Sequence, residues 1–248
     1  MKYIVWYWLF FLLLQASVAL QDDNAYYNEV KDLEKSLTGR EIILKVGGGD
    51  LTEKGSCASI ALAYAANKLG YDVLDFRGGE SRTYFSENSR YIIDKRIDRK
   101  NSAGFICNAY ATEDSDLYEA FNKIRPLIKE KKEYILGIAH HMAIIRKQDN
   151  SEVIEYLELQ EADEKENTFK VFNKDVLNDR FGGKEARKKF NSTNKKLGLS
   201  GDNKLKHPVN LIDIDDLKDN ENFKKILGYI NTAGNEQQKE EKGVKNEW

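Results

Sequence analysis

Cys57 lies near the start of Gly55-Ser56-Cys57-Ala58-Ser59-Ile60-Ala61-Leu62-Ala63-Tyr64-Ala65-Ala66-Asn67-Lys68-Leu69-Gly70, a stretch whose alanines favour a helix. A thiol in the first turn of a helix faces the positive end of the helix dipole, which favours the thiolate. Ser56 reads as the N-cap and Gly70 as the residue that ends the helix. A thiolate nucleophile needs a proton carrier, and two of the three histidines are adjacent, His140 and His141. They open the apolar run His141-Met142-Ala143-Ile144-Ile145, which reads as a strand. Gln148-Asp149-Asn150-Ser151 reads as a turn, and Val153 to Gln160 as the return strand. The two-residue period puts His141, Ala143 and Ile145 on one face and His140, Met142 and Ile144 on the other; Tyr156, Glu158 and Gln160 share a face.

In amide or ester chemistry a thiolate attacks the carbonyl and forms a thioacyl enzyme. A histidine holds the thiolate as an ion pair and then protonates the leaving group, while a carboxylate or amide fixes the imidazole tautomer. His141 is preferred to His140 because it shares the face of Ala143, whose small side chain leaves room beside the helix. His140 is left to a supporting role. Glu158 is the first choice for the orienting group and Gln160 the second. The Cys57 N–H at the helix start can serve an oxyanion. Asn108 and Asn67 are the side chains considered for a second donor.

Other chemistries are disfavoured. Gly47-Gly48-Gly49-Asp50 lacks the Lys-Ser/Thr pair of a phosphate-binding loop and reads as a turn. There is no CxxC or HExxH, and two distant cysteines with three histidines do not space a zinc site, so no metal or cofactor is expected. A formal net charge of −2 excludes a strongly basic nucleic-acid binder. Cys107 reads as structural, although an oxidising compartment would allow it to bond Cys57 and silence the thiol.

Around these residues the chain reads as one α+β domain over 20–232, with a helical and loop extension from about 161. Residues 1–19 have a basic start, an apolar run and small residues at Ser17 and Ala19, as in a secretory signal peptide. This implies a secreted or periplasmic protein with no membrane association after cleavage. Helices are expected over Ala25–Leu37, Ser81–Ile97, Asp116–Lys129, Phe172–Phe181 and Asn222–Ile230. Strands are expected at Glu41–Val46, Tyr71–Phe76 and Val209–Ile214. Asn191-Ser192-Thr193 is a glycosylation sequon. The charged tail 233–248 is expected to be disordered.

Gly55-Ser56-Cys57-Ala58-Ser59, continued through Ala63-Tyr64-Ala65-Ala66-Asn67-Lys68-Leu69-Gly70-Tyr71-Asp72-Val73, resembles the opening of the papain-fold toxin domains of bacterial polymorphic toxins. His141-Met142-Ala143-Ile144-Ile145 and Leu157-Glu158-Leu159-Gln160 look like that family's histidine strand and following strand. The resemblance spans about Gly55 to Gln160. It implies a papain-like fold, with a nucleophile helix on an antiparallel sheet. It also implies Cys57 as nucleophile, His141 as base and Glu158 in the orienting position. The orienting residue here is Glu rather than Asp. Papain's oxyanion glutamine, six residues before its cysteine, corresponds to Leu51. The implied activity is a cysteine-dependent amide hydrolase, whether protease, deamidase or peptidoglycan amidase. An acyl transferase could use the same triad. The substrate would be a protein or peptide, and an exported toxin would have a cognate inhibitor protein. The alternative is a catalytically inactive papain-like binding or immunity protein.

Overall fold

The computed structural model describes residues 29–46, 56–73, 105–111, 117–138, 141–160, 168–181 and 207–232. Six strands form one antiparallel sheet: β1 (Phe105–Ala111), β2 (Glu133–Ile138), β3 (His141–Lys147), β4 (Ile154–Leu157), β5 (Phe169–Val171) and β6 (His207–Asp213). Their spatial order is β1-β6-β2-β3-β4-β5. Five α-helices accompany them among the described residues: α1 (Gly39–Val46), α2 (Ser56–Lys68), α3 (Leu117–Ile124), α4 (Lys174–Phe181) and α5 (Glu221–Thr232). The chain is therefore α+β, as its sequence suggests.

Strand register sorts the core into two layers. Ile135, Ile144 and Ile212 pair in a row across β2, β3 and β6. With Met142 and Leu157 they pack into one cluster with α1, α2 and α5. Leu136, Ala143 and Leu211 form the neighbouring row and, one residue out of phase, face the other side. They join Phe121 of α3 and Leu177 and Phe181 of α4. The sheet is thus covered by helices on both faces.

Helix α2 is buried on every side from Ala58 to Asn67, which suits its small residues. Gly70 ends it at φ +96°. The Tyr71 N–H reaches the Ala66 carbonyl at 2.9 Å and the Gly70 N–H reaches that of Asn67 at 3.2 Å, the Schellman arrangement that satisfies the last carbonyls. At the other end Ser56 is already helical rather than the cap.

Several expectations are corrected. Glu41–Val46 lies in helix α1, not in a strand. The Thr38 N–H donates to Glu41 Oε2 at 2.7 Å, and the Glu41 N–H to Thr38 Oγ1 at 3.3 Å. This capping box overrides the strand preference of Ile42, Ile43 and Val46. The described part of Ala25–Leu37 is not helical. Asp32 bridges Tyr71, and the Leu33 N–H donates to Gly70 at 2.7 Å, so its backbone is committed to the chain that leaves α2. The expected strand at Tyr71 amounts to that bridge over the described residues. Helix α3 stops at Ile124 because Pro126 follows and turns the chain into a 3-10 segment. The region after 161 is more than helix and loop, since β6 lies inside the sheet between β1 and β2. The proposed signal peptide, the glycine triplet, the Ser81–Ile97 helix, the sequon and the charged tail lie outside the described residues.

Candidate active site

Three element ends meet at one point. Cys57 is in the first turn of α2, His141 is the first residue of β3, and Glu158 is the residue after β4. The Ile144–Leu157 pairing fixes the register of β3 on β4 and brings the start of one strand to the end of the other. The Cys57 thiol hydrogen-bonds the His141 ring and the backbone N–H of Met142. His141 Nε2 lies 2.9 Å from Glu158 Oε2. With Nε2 committed to the carboxylate, Nδ1 is the nitrogen left for the thiol. Cys57 is half-buried, whereas His141 and Glu158 are buried.

Glu158 is held on all sides. Its Oε1 accepts from the backbone N–H groups of Leu159 at 3.1 Å and Gln160 at 3.2 Å. Its Oε2, besides meeting His141, accepts from Arg180 Nε at 2.9 Å and Nη2 at 2.5 Å. Arg180 comes from α4, whose next residue, Phe181, sets its ring edge-on to the His141 imidazole at 5.0 Å between centroids. Asn173 caps this helix, its Oδ1 accepting the Val176 N–H at 2.9 Å.

The electrostatics follow from these contacts. Burial opposes ionisation of Cys57, but the hydrogen bond and charge of His141, with the Met142 N–H, outweigh it and hold the thiol below its ordinary value; the Glu158 charge acts in the opposite sense. Burial also opposes charge on His141, yet Cys57 and Glu158 push the imidazole up to about 9. Glu158 pays the same desolvation, and His141 and Arg180 bring its carboxyl down to about 2. Both shifts act in favour of a thiolate–imidazolium pair, with an ionised carboxylate behind it.

Of the side chains expected from sequence, Cys57, His141 and Glu158 are brought together. Gln160 meets Glu158 through its backbone, and its buried side chain lines the recess beside Cys57 with Met142 and Leu159. His140 lies outside the described residues. His141 does not owe its contact with the thiol to the face of Ala143, contrary to the expectation from the two-residue period. Ala143 faces the α3 and α4 layer, away from α2, while Met142 faces α2. The ring reaches the thiol because it sits at the open end of the strand pair, not through space beside Ala143. Asn67 is ruled out as an oxyanion donor. It lies ten residues on from Cys57, about 15 Å along the helix, and its amide is bonded to the Ala63 and Val73 carbonyls at 2.8 and 2.7 Å. Asn108 is on β1, with β6 and β2 between it and β3. The same separation, on the order of 14 Å for three strand spacings, parts the Cys107 backbone from β3, and no disulfide involves Cys57 among the described residues.

Arg180 was not among the expected site residues. The apolar spacing of Phe172–Phe181 marks the helix, but nothing local ties a cation there to a carboxylate 22 residues earlier. No group of three or more potential ligands for a metal ion occurs among the described residues, nor is any described helix long and apolar enough to cross a membrane. Comparison of the chain with protein-family models, curated proteins and solved structures gives no match.

Proposed function

We propose that the protein is a cysteine-dependent amide hydrolase or deamidase of papain-like type, acting on a protein or peptide, with Cys57 as nucleophile, His141 as proton carrier and Glu158 as orienting group. One observation carries this reading: the Cys57 thiol is hydrogen-bonded to an imidazole whose Nε2 is 2.9 Å from a buried carboxylate. A buried neutral thiol would need neither partner. The α+β architecture, with the thiol at a helix start against an antiparallel sheet, agrees with it.

In acylation the Cys57 sulfur bonds to the carbonyl carbon, the carbon–nitrogen bond breaks, and His141 gives its proton to the departing nitrogen. The Cys57 N–H at the start of α2 is one donor for the oxyanion. In deacylation neutral His141 takes a proton from water, the water oxygen bonds to the carbonyl carbon, and the carbon–sulfur bond breaks. This restores the thiolate–imidazolium pair. Export through the N-terminal segment, and a role as a toxin or effector countered by an inhibitor protein, belong to the same proposal.

The test is hydrolysis or ammonia release from a mixed peptide and protein substrate pool. The wild-type chain is compared with Cys57→Ala and His141→Ala. The reading expects activity in the wild type and at least a thousandfold loss in each variant. Equal turnover in wild type and Cys57→Ala would overturn it.

A further inference from the structure

We infer that Arg180 is a positioning residue of this same site: forked on Glu158, it keeps that group a hydrogen-bond-accepting carboxylate through the half of the cycle in which the imidazole carries no charge. The inference rests on the reading of Cys57 as nucleophile.

The charges that act on Glu158 directly are the imidazole of β3 and the guanidinium of α4, and the thiol of α2 lies beyond the imidazole and feels the Glu158 charge. In the resting site thiolate, imidazolium, carboxylate and guanidinium sum to zero. Acylation turns the thiolate into a neutral thioester and removes the imidazolium proton. Without Arg180 the acyl-enzyme would then hold Glu158 as a buried anion with no counterion, a costly state that the carboxyl escapes by taking a proton. A protonated Glu158 can no longer serve as the ionised acceptor for His141 Nε2–H. That bond leaves Nδ1 unprotonated to draw a proton from water. With Arg180 donating through both Nε and Nη2 to Oε2, carboxylate and guanidinium remain a neutral pair when His141 discharges. The two N–H donors to Oε1 help but carry no full charge. A role in structure alone would not single out one half of the cycle. Arg180 would.

The experiment uses p-nitrophenyl acetate, whose phenolate burst reports acylation and whose steady state reports deacylation. The full chain is compared with R180Q, R180K and C57A. The wild type should give a burst of one equivalent that C57A lacks. R180Q should keep the burst rate within about threefold while its steady-state rate falls about ten- to a hundredfold. R180K, which keeps the charge but not the fork, should recover part of the loss. If R180Q fails to fold, the same split at smaller size in R180K carries the test. Equal loss of both phases, or of neither, in a folded variant would overturn the role of Arg180 and leave the nucleophile standing. No burst in the wild type would overturn the nucleophile and the role of Arg180 with it.

Discussion

His141 and Glu158 tie activity and stability to pH at the level of single groups. His141 is raised to about 9 in the folded chain. Its pairing therefore stabilises the fold fully below the ordinary histidine value and is lost as pH rises through about 9. Acyl transfer should lose its imidazolium over the same range, giving a pH–rate profile whose alkaline limb centres near 9. Glu158 is lowered to about 2, so its contribution is complete above the ordinary carboxylate range and is lost as pH falls toward about 2. Glu158→Gln removes the charge and leaves one acceptor oxygen where Arg180, His141 and two backbone N–H groups now share two. We expect a loss of about 3 kcal/mol in denaturant unfolding at neutral pH, and a flatter acid limb of stability than the wild type. Unchanged stability and an unchanged acid limb would show that the carboxylate is not ionised in the fold. The residues of this site were legible in unequal degree. Cys57 and its helix were plain because small residues and a closing glycine are local signals. Period two left Glu158 and Gln160 on one face, and only the 2.9 Å contact to His141 separates them. Arg180 reaches the site through tertiary packing, which no local pattern encodes.

Helix α4 shows how an element controls the site without lining the nucleophile. It carries both Arg180 and Phe181, and Phe181 sits in the core beside Phe172 and Leu177. Asn173→Ala removes its cap and should cost about 1 kcal/mol. It should also slow deacylation more than acylation, because the loosened helix holds Arg180 less firmly; an unchanged ratio of the two rates would separate the cap from the site. Helix α2 offers the opposite test. Ala65 is fully buried, so Ala65→Leu should overpack the helix against its neighbours and cost about 1–3 kcal/mol in unfolding experiments. Helix α1 forms where its β-branched residues favour a strand, because Thr38 and Glu41 cap it. The two ends of a capping box, three residues apart, were present in the sequence and were the better guide.

At the scale of the molecule, the region after 161 completes the sheet and the site. Strand β6 is hydrogen-bonded on both sides, to β1 and to β2, and α5 places Phe223, Leu227 and Ile230 in the core with α2. Phe223→Ala should cost about 3–5 kcal/mol, read as a lower denaturant midpoint. A chain ended before β6 should show no cooperative transition. The sequence placed β6 correctly as a strand, but a strand's neighbours are set by non-local pairing, so its interior position could not be read from its own residues. The central claim is that this whole assembly, α2 with the ends of β3 and β4 and the clamp from α4, makes Cys57 a reactive thiolate. It is tested most directly by the pH dependence of Cys57 alkylation by iodoacetamide, followed by mass at that residue in the native chain and in denaturant. The account predicts that the alkylation profile of native Cys57 lies at lower pH than that of the unfolded chain, which reacts only as an ordinary thiol ionises, at about pH 8.5. Superimposable profiles in the two states would contradict it.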